Sequence, residues 1–345
     1  VEALSTLWFI LIAVLWTGYL ILDGFDLGAA MMMKTFAKSE KEQRVLLNSF
    51  GPVWDGNQVW LLTAGGATFA AFPLWYASLF SALYVPLTLA LLALILRAVS
   101  IEYRGKVNSQ RWRDAWTWCL SLGSAVAAFC VGAMLALTTT GMPINDNGDN
   151  VGGAFAWVNI YAIVGGLAIL GFAYLQGLLF TALKSHGEMR VRARAQAKKL
   201  LPLLLLFAAV WVLIVQFKFG NIAGAVIIAV AVLAAVVTWM SIGENTELRA
   251  FLFNGVFLAA GVASLFVNIY PRVLPSTIDD SLSLTVTSAS SSDYTLGVML
   301  VVTVIFLPIV LGYTVYSYRV FARRIHEKHL PPAHSVPVAI ASYHA

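Results

Sequence analysis

The run Gly51-Pro-Val-Trp-Asp-Gly-Asn-Gln-Val-Trp-Leu61 sets one carboxylate, Asp55, beside two amides, Asn57 and Gln58, and two indoles, Trp54 and Trp60. It stands at the mouth of a long apolar stretch. A carboxylate carried into a bilayer is costly unless it meets water, a counter-charge or other protein, so an acid here reads as a functional site. Two more acids lie in Asp23-Gly-Phe-Asp26-Leu-Gly28, and an arginine and a further acid in Leu96-Arg-Ala-Val-Ser-Ile-Glu-Tyr-Arg104. Asp23 and Asp26, three residues apart, share a helical face. Gly24 and Gly28 form a small-xxx-small pair that lets another backbone come close. Carboxylates, amides and an arginine, with no nucleophile set beside a base, are equipped to handle protons or ions.

The elements that must position these groups are membrane spans. Of the 345 residues, 60% are hydrophobic and 11% charged, and the mean hydropathy is +0.81. Soluble domains are about half apolar and a quarter charged, so the composition defines an all-α polytopic membrane protein. Apolar runs long enough to cross the hydrocarbon lie at about 5–34, 50–73, 75–103, 114–139, 155–184, 199–218, 221–242, 249–270 and 293–322. They form a single transmembrane domain, 1–325, of about nine helices. The joint at 218–221 is the least defined boundary. Glu2, in place of a basic leader, and the length of the first run argue against a cleaved signal. Residues 326–345, with Pro331, Pro332 and Pro337, read as a disordered cytoplasmic tail.

Lys and Arg set the orientation. They crowd the loops at 34–49, 104–113 and 184–199 and the segment after 318, whereas the opposite loops hold only Lys218 and Arg272. The positive-inside rule then puts the N-terminus outside and the C-terminus in the cytoplasm. The same bias accounts for the net charge of +5 without a nucleic-acid partner. On this topology Asp55 and Arg97 lie within about 10 Å of the cytoplasmic helix ends, Asp26 at about 12 Å and Glu102 at the interface. Three consecutive spans thus offer their charges at one level. Asp26 is expected to pair with Arg97, because an unpaired charge at that depth is expensive. Asp55 is expected to head a cytoplasmic proton entry, with Asp23 or Asp26 next along it, Glu102 at its rim, and Trp54, Asn57 and Gln58 forming a polar mouth. An ion-pair clamp that only holds helices together gives the same pattern.

No histidine sits within a span: His186 is at a helix end, and His326, His329, His334 and His344 lie in the tail. The methionines at 31–33 lack a partner ligand, so a haem with axial ligands has no home in this chain. Cys119 and Cys130, about 16 Å apart on one helix, form neither a disulfide nor a metal site. Asn254 and Asn268 read as interhelical hydrogen-bonding residues. Residues 140–154 read as a turn-rich connector, and the Ser/Thr-rich stretch 276–292 as an outer segment that either packs over a surface or remains mobile.

The chain resembles subunit II of the bacterial cytochrome bd-type quinol oxidases. The likeness rests on Asp23-Gly-Phe-Asp-Leu-Gly28, on Gly51-Pro-Val-Trp-Asp-Gly-Asn-Gln-Val-Trp-Leu-Leu-Thr-Ala-Gly-Gly66, on Phe69-Ala-Ala-Phe-Pro73, and on Arg97 with Glu102-Tyr-Arg104. It continues through Tyr270-Pro-Arg-Val-Leu-Pro-Ser276 and Leu307-Pro-Ile-Val-Leu-Gly-Tyr313. The resemblance implies two four-helix bundles plus a peripheral helix in the bacterial inner membrane. It implies a heterodimer with subunit I, which carries two haems b and one haem d and oxidises quinol, while this chain ligates no cofactor. It further implies help in conveying cytoplasmic protons, a structural quinone in some members, and an apolar oxygen path near Trp60. Which quinone is used, and whether a small accessory subunit joins, stays open. The main rival is a secondary transporter or permease with an intramembrane carboxylate site. Transporters place such sites at the midplane between repeated, broken helices, whereas this cluster is off-centre and no internal repeat is evident. A third alternative is a subunit needed only for assembly.

Overall fold

A computed structural model describes residues 2–325; the expected tail, 326–345, lies outside the described residues. In chain order the helices are α1 Glu2–Thr35, α2 Glu40–Phe50, α3 Trp54–Ala71, α4 Pro73–Ala82, α5 Tyr84–Tyr103 and α6 Gln110–Thr140. They continue with α7 Ile160–Lys184, α8 Gly187–Phe219, α9 Ile222–Gly243, α10 Glu247–Ile269 and α11 Asp293–Val320. A small antiparallel pair, β1 Arg272–Leu274 with β2 Leu284–Thr285, precedes α11.

Eight of these helices are long and apolar enough to cross a membrane. The expected span at 50–73 is α3, which is not among them, because Asp55, Asn57 and Gln58 crowd its first turns. The expected span at 75–103 divides into α4 and α5. Phe72 adopts φ −135°, ψ 70° before Pro73, as the residue ahead of a proline is driven out of the helical region. Pro73 then starts α4, where its missing N–H costs nothing. The loop expected at 34–49 contains α2, capped by Ser39, whose hydroxyl accepts from the Glu42 amide. The loop expected at 184–199 is instead the first third of α8. Its arginines lie on a continuous helix and contact acids of other elements.

Helix α1 is the central post, packed against α3, α6, α7 and α10. Its approach to α7 depends on glycine: a Cβ on Gly28 would lie 1.9 Å from the Ala173 carbonyl oxygen, and one on Gly177 would lie 2.5 Å from the Gly28 carbonyl carbon. Gly24, the other half of the anticipated pair, faces the Phe172 ring instead. Asn254 donates to Gln176 of α7 at 2.6 Å, and Asn268 to Gln216 of α8 at 2.8 Å, so both asparagines join helices. The stretch 276–292 is ordered over one end of the bundle. There the Met142 amide donates to the Pro275 carbonyl, and Ser291 Oγ to that of Ala70 at 2.6 Å.

The side-chain network at the other end gathers the basic segments. Arg104 binds Glu40 of α2 at 2.6 Å and Arg192 of α8 binds Glu42 at 2.6 Å. Glu247, at the start of α10, receives Arg190 at 2.6 Å, Arg194 at 3.3 Å and Arg324 at 3.6 Å. The start of α1 and the end of α11 lie at opposite ends. Trp8 Nε1 donates to the Leu296 carbonyl near the beginning of α11, while Arg324, just past its end, sits in the basic network.

Candidate functional site

Between the two ends, on the inner face of α1, Asp23 and Asp26 are both fully buried, as is Arg97 of α5. Arg97 donates through Nη2 to Asp23 Oδ1 at 2.9 Å and through Nη1 to Gln58 Oε1 at 3.0 Å. Its guanidinium lies 5.8 Å from the centre of the Trp54 indole. Asp26 is held differently: Asn57 Nδ2 donates to its Oδ2 at 2.7 Å, and Tyr318 of α11 donates to Asn57 Oδ1 at 2.7 Å.

The arginine therefore pairs with Asp23 and not with Asp26, as depth alone had suggested. The direction of helical side chains explains the difference. Side chains tilt toward the N-terminus of their own helix. Helix α5 runs toward the basic end, so Arg97 leans away from that end and meets Asp23, the acid farther from it. Helix α3 runs the opposite way, so Asn57 leans toward the basic end and meets Asp26.

Two buried carboxylates thus lie near one guanidinium, which binds only one of them. Asp23 has a cation at hydrogen-bond distance, and Asp26 has only a neutral amide. Asp26 Oδ1 and Arg97 Nε are buried with no hydrogen-bond partner among the described residues, and the buried Tyr19 hydroxyl lies beside Asp23. Such groups mark a polar interior able to take up a proton or a water molecule, since buried polar atoms are ordinarily satisfied.

Asp55 and Glu102 do not join this cluster. Both are exposed on the surface of the chain, Asp55 two and three residues ahead of the Asn57 and Gln58 that touch the buried groups. Trp60 is half-buried, and its ring lies so close to α1 that a Cβ on Gly18 would be 2.6 Å from it. It lines an apolar groove of about 770 Å³ with Thr17, Ile21, Phe266 and Tyr270. A second apolar groove, about 700 Å³ between α3 and α5, reaches Gln58.

Tyr318 was not foreseen, and no local pattern marks it: it lies 261 residues from Asn57. The acids of the basic end, Glu40, Glu42 and Glu247, were also missed. Their signal was present, since each is an acid with a Lys or Arg within two residues in sequence, at or near the start of a helix.

The donor set does not fit a haem. The one histidine among the described residues is His186, at the N-cap of α8, and Met31, Met32 and Met33 are buried in apolar packing. No group of three or more His, Cys, Asp or Glu suited to a metal ion occurs among the described residues.

Long apolar helices around a buried ion pair make this a multi-pass membrane protein with an internal polar site. A chain of the bd oxidase from Geobacillus thermodenitrificans has the same fold, with a TM-score of 0.77 at 16% identity, covering 92% of this chain and 98% of that one. Residues 4–321 match the family described as cytochrome bd terminal oxidase subunit II. Cytochrome bd ubiquinol oxidase subunit 2 of Bacillus subtilis is 36% identical over 94% of this chain and 98% of its own length. Cytochrome bd-I ubiquinol oxidase subunit 2 of Escherichia coli K12 is 32% identical over 93% and 95%. The chain belongs to the cytochrome bd terminal oxidase subunit II family, as a multi-pass inner-membrane subunit of a quinol oxidase complex.

Proposed function

We propose that this chain is the haem-free subunit II of a quinol:oxygen oxidoreductase, and that its buried carboxylates convey protons from the cytoplasm toward the site of oxygen reduction. With α3 counted as a ninth crossing, the arginine-rich end faces the cytoplasm and the N-terminus lies outside, as the positive-inside rule requires. Asp55, exposed at the start of α3, is the entry, with Glu102 at the rim. Asn57 and Gln58 lead inward from it to Asp26 and Asp23. The redox groups, two haems b and one haem d, belong to the partner subunit I, in keeping with a donor set here that does not suit them.

The observation that carries this reading is the imbalance at the site: two fully buried acids against one arginine. A clamp needs one acid for one base, and the second acid is free to exchange a proton. Asp26→Asn and Asp55→Asn keep side-chain size but remove the exchangeable proton. Both are expected to leave a complete complex with normal haem absorbance and to slow quinol oxidation at least tenfold. Full turnover in both variants would make the pair a helix clamp and assign proton entry to subunit I.

The groove beside Trp60 supports a second role, an apolar route for oxygen toward the partner subunit. Trp60→Phe is then expected to change the apparent oxygen affinity without changing haem content, and an unchanged affinity would remove Trp60 from that route. The same grooves would accept the tail of a structural quinone or of a lipid.

A further inference from the structure

Helix α11 stands almost free of the bundle, with Leu296 its only fully buried residue. It is pinned at its two ends. At one, Trp8 Nε1 donates to the Leu296 carbonyl at 3.0 Å. At the other, the Lys184 ammonium donates to the carbonyls of Phe321 and Arg323, the Ile325 amide donates to the Lys184 carbonyl at 2.8 Å, and Arg324 reaches Glu247. Just inside this second pin, Tyr318 packs edge-on against Phe25, with ring centres 6.3 Å apart. Its hydroxyl donates to Asn57, which donates to Asp26.

We propose that Tyr318 is a positioning residue for the buried carboxylate site, and that through it α11 sets how readily Asp26 takes a proton. The inference rests on the proton-entry reading above. An asparagine amide has an accepting end and a donating end. With the phenol donating to Oδ1, Nδ2 faces Asp26 and serves it as a carboxylate. If the amide turns over, Oδ1 faces Asp26, which must then carry a proton to make the contact, and Nδ2 donates to the phenol oxygen. Both arrangements satisfy Asn57, so the trio has two states that differ by one proton on Asp26. The phenol is the better donor and weights the trio toward the first state. The other titratable groups facing it are Asp23 and Tyr19 on α1 and Arg97 on α5. From α7 and α10, Phe180 and Phe251 pack against Phe25.

The test uses the complete complex carrying Tyr318→Phe, which keeps the ring against Phe25 and removes only the hydroxyl. One neutral hydrogen bond corresponds to about 0.5–1 pH unit, so the alkaline limb of the pH profile of quinol oxidation is expected to move upward by about that much. In an Asn57→Ser background the same substitution is expected to add no further displacement, because the link to Asp26 is already cut. An undisplaced profile overturns the proposal, as does a turnover that falls uniformly at every pH. A further displacement in the Asn57→Ser background overturns it too, and that comparison still decides if the single variant assembles poorly. Asp26→Asn in the same assay separates the two ideas. If Asp26→Asn is slow while Tyr318→Phe matches wild type, only the positioning role falls; if both match wild type, the proton-entry reading falls with it.

Discussion

Replacing Arg97 by glutamine removes the cation that faces two buried carboxylates, and the cost follows from their burial. Arg97 and Asp23 are both inaccessible to solvent and 2.9 Å apart, so water cannot screen whatever charge remains. Breaking one partner of such a pair typically costs about 3–5 kcal/mol, most of it the desolvation of the orphaned charge. The Gln58 bond is lost with it, another ~1 kcal/mol. Adding Asp23→Asn to Arg97→Gln removes the orphan and leaves neutral amides in its place. The double variant is therefore expected to regain at least half of the stability lost in the Arg97→Gln single variant. The assay is a double-mutant cycle on the detergent-solubilised complex, following thermal loss of haem absorbance and yield of both subunits. Additive losses in the double variant would refute the pairing of Arg97 with Asp23. Recovery with Asp26→Asn but not with Asp23→Asn would restore the pairing that depth alone suggested.

Gly28→Ala is expected to destabilise the complex by about 1–3 kcal/mol or more, since its Cβ would lie 1.9 Å from the Ala173 carbonyl; the yield of assembled complex measures it. Glu247→Gln weakens the shared anchor of Arg190, Arg194 and Arg324 and is expected to raise tryptic cleavage after Arg319 and Arg323. Equal cleavage rates would show that the Lys184 contacts alone hold the end of α11. The connector before α11 is expected to loosen only in acid. The Arg272 hydrogen bond holds the Asp280 carboxyl below its ordinary range. A depressed acid contributes stability above its unfolded value of about 4, and loses it as pH falls through the folded value. Hydrogen exchange across 272–283 should therefore be flat from pH 5 to 8 after correction for intrinsic rates, and rise below about pH 4.

The spans were legible because burying backbone in lipid requires long apolar helices, and their ends were legible from Lys and Arg. Composition misled at 184–199, where a charge-rich stretch continues a helix instead of forming a loop. Within the site, the residue types and the level at which they meet could be read from Asp23, Asp26, Asn57, Gln58 and Arg97. The partner of Arg97 could not, because depth along a helix ignores the tilt of its side chains. Asp55 and Glu102 illustrate the opposite limit: acids at helix ends reveal their level but not which face they take. Tyr318 was beyond reach, since its contact joins distant helices and nothing near it in sequence is unusual.

The claim that the buried carboxylates admit cytoplasmic protons is tested most directly in sealed vesicles holding the oriented complex. Proton uptake from the side of the arginine-rich loops is followed with a pH-sensitive dye during an oxygen pulse, comparing wild type with Asp26→Asn. The account predicts that uptake from that side slows in step with quinol oxidation while the haem spectrum stays unchanged. Uptake at the wild-type rate by an intact Asp26→Asn complex would contradict it.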